Sequence, residues 1–275
     1  MTARASAHAR YEEPAPVPPR SGAGSSAAIS LHGVTKVYGH VGNAVPALDR
    51  VSLDVASGEF VCLLGASGCG KSTLLNLVAG LDQPTGGTVA VNGGRTTLMF
   101  QEAALFPWLT VRGNVDLALK LRKVSRPHRR ETVGALLDMV HLTGFEKKLP
   151  HELSGGMRQR VQLARALAQQ AEVLLMDEPF GSLDAMTRDL LHDELERVWR
   201  DTGLTVLFVT HNVREAVRLG DRVVLLSSRP GRVVAEFPVQ IDRPRRIESH
   251  EVADQAAEIT GRLREEVRRH GAVPD

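Results

Sequence analysis

The sequence predicts an α/β fold with a mostly parallel sheet flanked by helices. Three observations carry this. Apolar runs of strand length recur at 173–176, 206–209 and 223–226. Stretches with helical spacing lie between and around them. A glycine loop at 64–73 joins a short apolar strand to a helix. Strands alternating with helices over this length favour parallel pairing through crossovers.

Along the chain, residues 1–28 are rich in Ala, Pro, Ser and Arg, with Pro14, Pro16, Pro18 and Pro19 close together. Such a segment buries too little apolar surface to offset its ordering entropy and is expected to be a disordered tail. Strand-like segments follow at 29–37 and 47–55, then a buried strand at 59–64 and a helix over 73–81. Short strands are expected at 88–91 and 97–100. From about 102 to 155 the texture is helical, with Val133, Leu136, Leu137 and Val140 at helical spacing. A strand at 173–176, a helix through Leu191, Leu195 and Val198, and a strand at 205–209 come next. Near the C-terminus, Val252, Ala256, Ile259, Leu263 and Val267 mark an amphipathic helix, weakened by Gly261 and read first as packing on its own domain. No internal repeat is visible.

At 275 residues the chain can bury a substantial core in one or two domains. A formal net charge of +2 gives no argument for nucleic acid as a partner. Cys62 and Cys69 are placed in a buried strand and a loop, which is no disulfide framework and fits a reducing cytoplasm. No apolar run approaches the roughly 20 residues that span a bilayer. The first residues lack the apolar segment of a signal peptide, and Met-Thr is not a myristoylation start. The expectation is a soluble protein attached to a membrane only through a partner.

The loop reads Gly65-Ala66-Ser67-Gly68-Cys69-Gly70-Lys71-Ser72-Thr73. Glycines let the backbone curl so that its N–H groups point inward, and the following helix adds its dipole, so the loop is a phosphate cradle. Lys71 would reach the β and γ phosphates of a nucleotide, and the Ser72 hydroxyl would ligate Mg²⁺. Asp177 ends the apolar run 173–176, where it can hold the same ion or its water shell. Glu178 follows, placed to polarise a water attacking the γ phosphate. Ser154, Gly155 and Gly156 precede a helix expected from near Arg158. Alone they read as a simple N-cap; with the loop they are a second anion site.

Together these motifs resemble the ATP-binding subunits of ABC transporters over about 29–246. Seven elements stand in family order: Tyr38, the phosphate loop, Gln101, the 153–157 signature, Asp177-Glu178, Ser182-Leu183-Asp184, and His211. Met157 departs from the Gln common in the signature. The resemblance implies a P-loop NTPase (RecA-like) core with an N-terminal antiparallel β portion and an inserted helical subdomain over about 102–157. The ATP-binding domain would span 29–245, with 246–275 a C-terminal helical extension. Tyr38 would stack on adenine. Gln101 would sense the γ phosphate and Mg²⁺, and His211 would bond the γ phosphate and the attacking water. Hydrolysis would rest on Glu178, His211, Gln101 and Lys71. Ser154, Gly155 and Gly156 of one subunit would meet the phosphate loop of another, sandwiching two ATP in a head-to-tail homodimer or paralogue heterodimer. Asp184 would communicate across that interface.

After Gln101 the sequence reads Ala103-Ala104-Leu105-Phe106-Pro107-Trp108-Leu109-Thr110-Val111. This apolar cluster suggests a groove for a helix of a membrane permease, with Phe106 and Trp108 in the socket. Leu105 serves that reading and ordinary core equally. Three stretches, 101–108, 179–188 and 243–246, resemble the nitrate, sulfonate and taurine importer group, and the short run from Gly94 to Phe100 leans toward aliphatic sulfonates. The chain would then sit on the cytoplasmic face of the cell membrane through its permease and serve a solute-binding protein indirectly. The alternatives are another importer, a non-transport ABC ATPase, an exporter subunit, or a binding module without catalysis. Intact Lys71, Asp177, Glu178 and His211 argue against the last. Cys69, inside the loop, is expected to make thiol alkylation inhibitory and ATP protective.

Overall fold

A computed structural model describes residues 27–40, 43–92, 94–181 and 183–271. Most of the expected tail, and Ser182, lie outside the described residues. Ala27 and Ala28 already belong to the first strand, two residues ahead of the expected start.

Alternating apolar residues build a small antiparallel sheet in the order β2-β1-β4, from β1 (Ala27–Tyr38), β2 (Val45–Ala56) and β4 (Gly86–Val91). Ile29 pairs with Val55 and Val91, and Leu31 pairs with Leu53 and Val89. Ile29, Leu31, Leu53 and Val55 are buried and Val89 and Val91 half-buried, while Ser52 and Asp54 between the β2 pair reach solvent, the signature of a sheet with one covered face.

The second sheet has the order β5-β6-β7-β3-β8-β9. It comprises β3 (Phe60–Leu64), β5 (Thr96–Met99), β6 (Val173–Asp177), β7 (Thr205–Val209), β8 (Arg222–Leu226) and β9 (Val233–Pro238). All pairings are parallel except β8 with β9. Continuous apolar runs arise because both faces are covered. Phe60, Cys62 and Leu64 of β3 enter one core, together with Met176 and Phe208. Val61 and Leu63 enter the other, with Leu175, Leu207 and the small sheet.

Helix α1 (Lys71–Val78) packs within that second core. Between β5 and β6 the chain forms α2 (Val111–Leu121), α3 (Arg126–Met139), a 3₁₀ turn at Pro150–Glu152 and α4 (Gly155–Ala168). Helices α5 (Ala185–Thr202) and α6 (Val213–Leu219) complete the crossovers. The last helix, α7 (His250–Gly271), packs on α6 through buried Val252, Ala256 and Ile259, while Val267 is exposed. Buried Arg245 ties the segment ahead of α7 to the sheet layer, donating to the carbonyls of Val217, Val239 and Ile241. Burial, with Arg243 alongside, lowers its guanidinium to about 10. Among the described residues no helix is long and apolar enough to cross a membrane.

Candidate functional site

The carboxyl ends of β3, β6 and β7 converge on one edge of the sheet, where open α/β folds bind ligands. From β3 the chain enters the glycine loop. Gly70 caps α1 with φ at 99°, a left-handed conformation. A Cβ there would stand 2.7 Å from the Ala47 carbonyl oxygen, so no side chain fits without movement. Lys71, only 7% exposed, extends back along the loop. Its Nζ donates to the carbonyls of Gly65 at 2.9 Å and Ala66 at 3.1 Å. Ser67, Gly68 and Ser72 are exposed at the mouth, and Thr73 is half-buried. Cys69 is buried and free.

Asp177 closes β6 opposite Val209 of β7. Burial raises its carboxyl above the ordinary range; a hydrogen bond with Ser72 opposes this, and the neighbouring Glu178 charge adds to it. The loop lysine and strand-end carboxylate are thus brought together as the sequence spacing implied. Glu178 sits at φ 44°, uncommon for a residue with a side chain. Its N–H donates to the Val209 carbonyl at 3.0 Å. Its Oε2 lies 2.9 Å from Nδ1 of His211, a residue 33 positions away. A carboxylate only accepts, so His211 Nδ1 carries the hydrogen and donates it. A cavity of about 30 Å³ lies between Glu178, Thr210, His211 and Glu215, room for one water.

Met99 of β5 pairs with Met176, and exposed Gln101 follows two residues beyond the end of β5. The segment around it is held by α4. Gln162 donates to the Phe100 carbonyl at 3.1 Å, and Arg165 donates to the Ala104 carbonyl at 2.6 Å. Helix α4 starts at Gly155, three residues ahead of expectation, because Ser154 caps it by accepting from the Met157 N–H at 3.2 Å. A Cβ on Gly156 would stand 3.0 Å from Leu183, so the signature glycine lets α4 approach the segment leading into α5. Asp184 caps α5, and the Thr187 N–H that it accepts holds its carboxyl below the ordinary range. Tyr38 is partly exposed at the end of β1, its hydroxyl 3.1 Å from Asp82 and its ring 4.9 Å from the Lys36 ammonium.

Leu105 is half-buried and packs against the main core. Phe106 and Trp108 remain on the surface, Trp108 at 73% exposure, with their rings 5.6 Å apart. Buried Asn114 shapes this turn, accepting from the Phe106 N–H and donating to the carbonyls of Phe106, Leu109 and Thr110.

Sequence reasoning missed the polar chain beneath His211, made by Thr210, Glu215, His192 and Arg218. One signal was present. Asn212 and Glu215 have the spacing of a capping box. Asn212 does cap α6, accepting from the N–H groups of Arg214 and Glu215. Glu215 instead points its carboxylate inward.

The family model described as "ABC transporter" matches residues 48–181. An uncharacterized ABC transporter ATP-binding protein of Methanocaldococcus jannaschii is 44% identical over 246 residues, covering 87% of this chain and 92% of that protein. A nitrate import ATP-binding protein of Synechocystis is 46% identical over 220 residues, 78% of this chain and 83% of its own length. A taurine import ATP-binding protein of Burkholderia thailandensis is 47% identical over 224 residues, 79% and 86% of the two chains. Among solved structures, a dimeric ATP-binding cassette in a post-hydrolysis state, bound to ADP and phosphate, superposes with a TM-score of 0.71 at 33% identity. It covers 78% of this chain and all of its own.

Proposed function

The chain belongs to the ABC transporter family as an ATP-hydrolysing cassette, and on that footing we propose that it powers an importer of small anions of the nitrate, sulfonate and taurine class. The observation that carries the catalytic part is the 2.9 Å contact between Glu178 and His211 beside the phosphate loop. Lys71 and the loop N–H groups of residues 65–73 hold the β and γ phosphates. Glu178 orients and deprotonates the attacking water, with His211 as its hydrogen-bonded partner through Nδ1–H. Tyr38 offers its exposed ring to adenine.

Mg²⁺ fits this donor set. Ser72 and Asp177 are hydrogen-bonded to one another and present hard oxygen donors, as that ion requires, and Gln101 would add its amide oxygen. When bound, the ion neutralises charge on the phosphates.

In the proposed assembly two copies, or one copy and a paralogue, stack head to tail, so that Ser154, Gly155 and Gly156 of each face the ATP held by the other. ATP then favours the closed pair because its γ phosphate has partners on both subunits only in that state. Asp184, at the start of α5, lies at the joint between them. The helices spanning about 102–157 serve as the coupling subdomain, with Phe106 and Trp108 receiving a permease helix, and 246–275 form a helical extension. The chain would sit on the cytoplasmic face of the membrane through that permease. Names of relatives that import nitrate and taurine support the cargo class; aliphatic sulfonates are the narrower choice within it.

The test is uptake of radiolabelled taurine, alkanesulfonates and nitrate by cells lacking the gene, rescued with wild type or Glu178→Gln. The expected result is loss of one solute, restored by wild type alone. Unchanged uptake of all three would overturn the cargo class.

A further inference from the structure

We propose that His192 is a positioning residue for ATP hydrolysis, acting with Glu215 and Thr210 to fix the loop that carries His211. The inference rests on the role given to His211 above. His192 lies on α5 and is fully buried. Arg218 Nη1 stands 3.0 Å from its Nδ1. A guanidinium only donates, so Nδ1 accepts and the ring hydrogen sits on Nε2. That Nε2–H points at Glu215 Oε1, 2.6 Å away. The other Glu215 oxygen accepts from the Thr210 hydroxyl. The same Thr210 oxygen accepts the Asn212 N–H at 3.0 Å. Thr210 is therefore tied to the Glu215 carboxylate directly and Asn212 through the Thr210 oxygen, and one imidazole sets that carboxylate's orientation.

The other catalytic loop meets the same ring. Phe180, two residues beyond Glu178, stacks edge-on against His192 with centroids 5.4 Å apart. Arg218 in turn is anchored to Asp189 and Asp193 on α5, which prevents the imidazole from turning over. Both His192 nitrogens, both Glu215 oxygens and the Thr210 hydroxyl have partners, so removing one member strands the others in a low-dielectric interior. Filling this space alone would need only an apolar side chain. A polar chain running from α5 to the residues flanking His211 sets direction, and the imidazole on the Glu178 side fixes the spacing between the two loops.

Steady-state ATPase kinetics of the purified full chain test this with His192→Leu, His192→Gln and Thr210→Val, each alone and with His211→Ala. The Gln amide can still donate to Glu215, whereas Leu cannot. We expect His192→Leu to lower kcat about tenfold with KM for ATP unchanged, and His192→Gln to restore it to within about twofold. Thr210→Val should resemble His192→Leu. In the His211→Ala background these changes should cost nothing further, because they act through a side chain already gone. An unchanged kcat in His192→Leu, or the same loss repeated on His211→Ala, would overturn the proposal. Should His192→Leu fail to fold, Thr210→Val decides by the same two criteria. Wild-type turnover in His211→Ala alone would instead overturn the role of His211.

Discussion

Burial raises the Asp177 carboxyl, and the bond from Ser72 offsets only part of that. The sign of the consequence follows by linkage. A group whose folded pKa is raised favours the fold below its ordinary range, near 4 for Asp, and loses that contribution as pH rises through the folded value. At pH 7 the ionised Asp177 carboxylate therefore costs the fold stability. Asp177→Asn should melt at higher temperature than wild type at pH 7, with the gap closing toward pH 4, while ATP hydrolysis is lost. Thermal melts across that range check it, and a lower melting temperature at pH 7 would contradict it. Cys69 bears on the same loop. The alkylation expected from its position meets a buried thiol whose pKa burial pushes up, so thiolate is scarce. Alkylation of the native chain should run at least about tenfold slower than of the unfolded chain, and slower again with ATP. Peptide mapping reads it at Cys69 alone; equal rates in native and unfolded chains would contradict it.

Elements differ in how plainly they can be read from sequence, and the reason is which face each one covers. Strands β3, β6 and β7 were legible because burial on both sides makes them unbroken apolar runs. β9 was not, since Val233–Pro238 is a half-exposed edge strand ending in proline and carrying Glu236. The start of α4 is displaced because two glycines follow the Ser154 cap and weaken the helical signal, although the cap closes the first turn at Gly155. His192 and Arg245 were invisible for another reason: hydropathy assigns polar residues to solvent, and only tertiary contact supplies the partners that let them be buried. At this scale α4 also links the signature to Gln101, because Gln162 and Arg165 grip the backbone on either side of it. The aromatic pair at the end of that segment makes a further prediction. Trp108→Ala and Phe106→Ala should lose assembly with the permease and coupled transport. Trp108→Ala should change stability by no more than about 0.5 kcal/mol, as exposed side chains usually do. Normal co-purification with the permease in both variants would contradict the socket.

Across the whole molecule, the phosphate loop, the strand-end acids and His211 come from segments up to 146 positions apart, between Gly65 and His211, and meet because β3, β6 and β7 end together. The motifs were readable one by one. Their meeting point followed from the strand order β6-β7-β3, which apolar runs alone do not specify. The Glu178 to His211 contact was not readable from spacing at all. On that contact rests the proposal that Glu178 and His211 activate the water while the phosphate loop grips the nucleotide. The most direct measurement is nucleotide binding and ATP turnover on purified wild type, Lys71→Ala and Glu178→Gln. Lys71→Ala is expected to lose ATP binding, whereas Glu178→Gln should bind ATP as wild type does and turn over at least about 100-fold slower. Wild-type turnover in Glu178→Gln would contradict it.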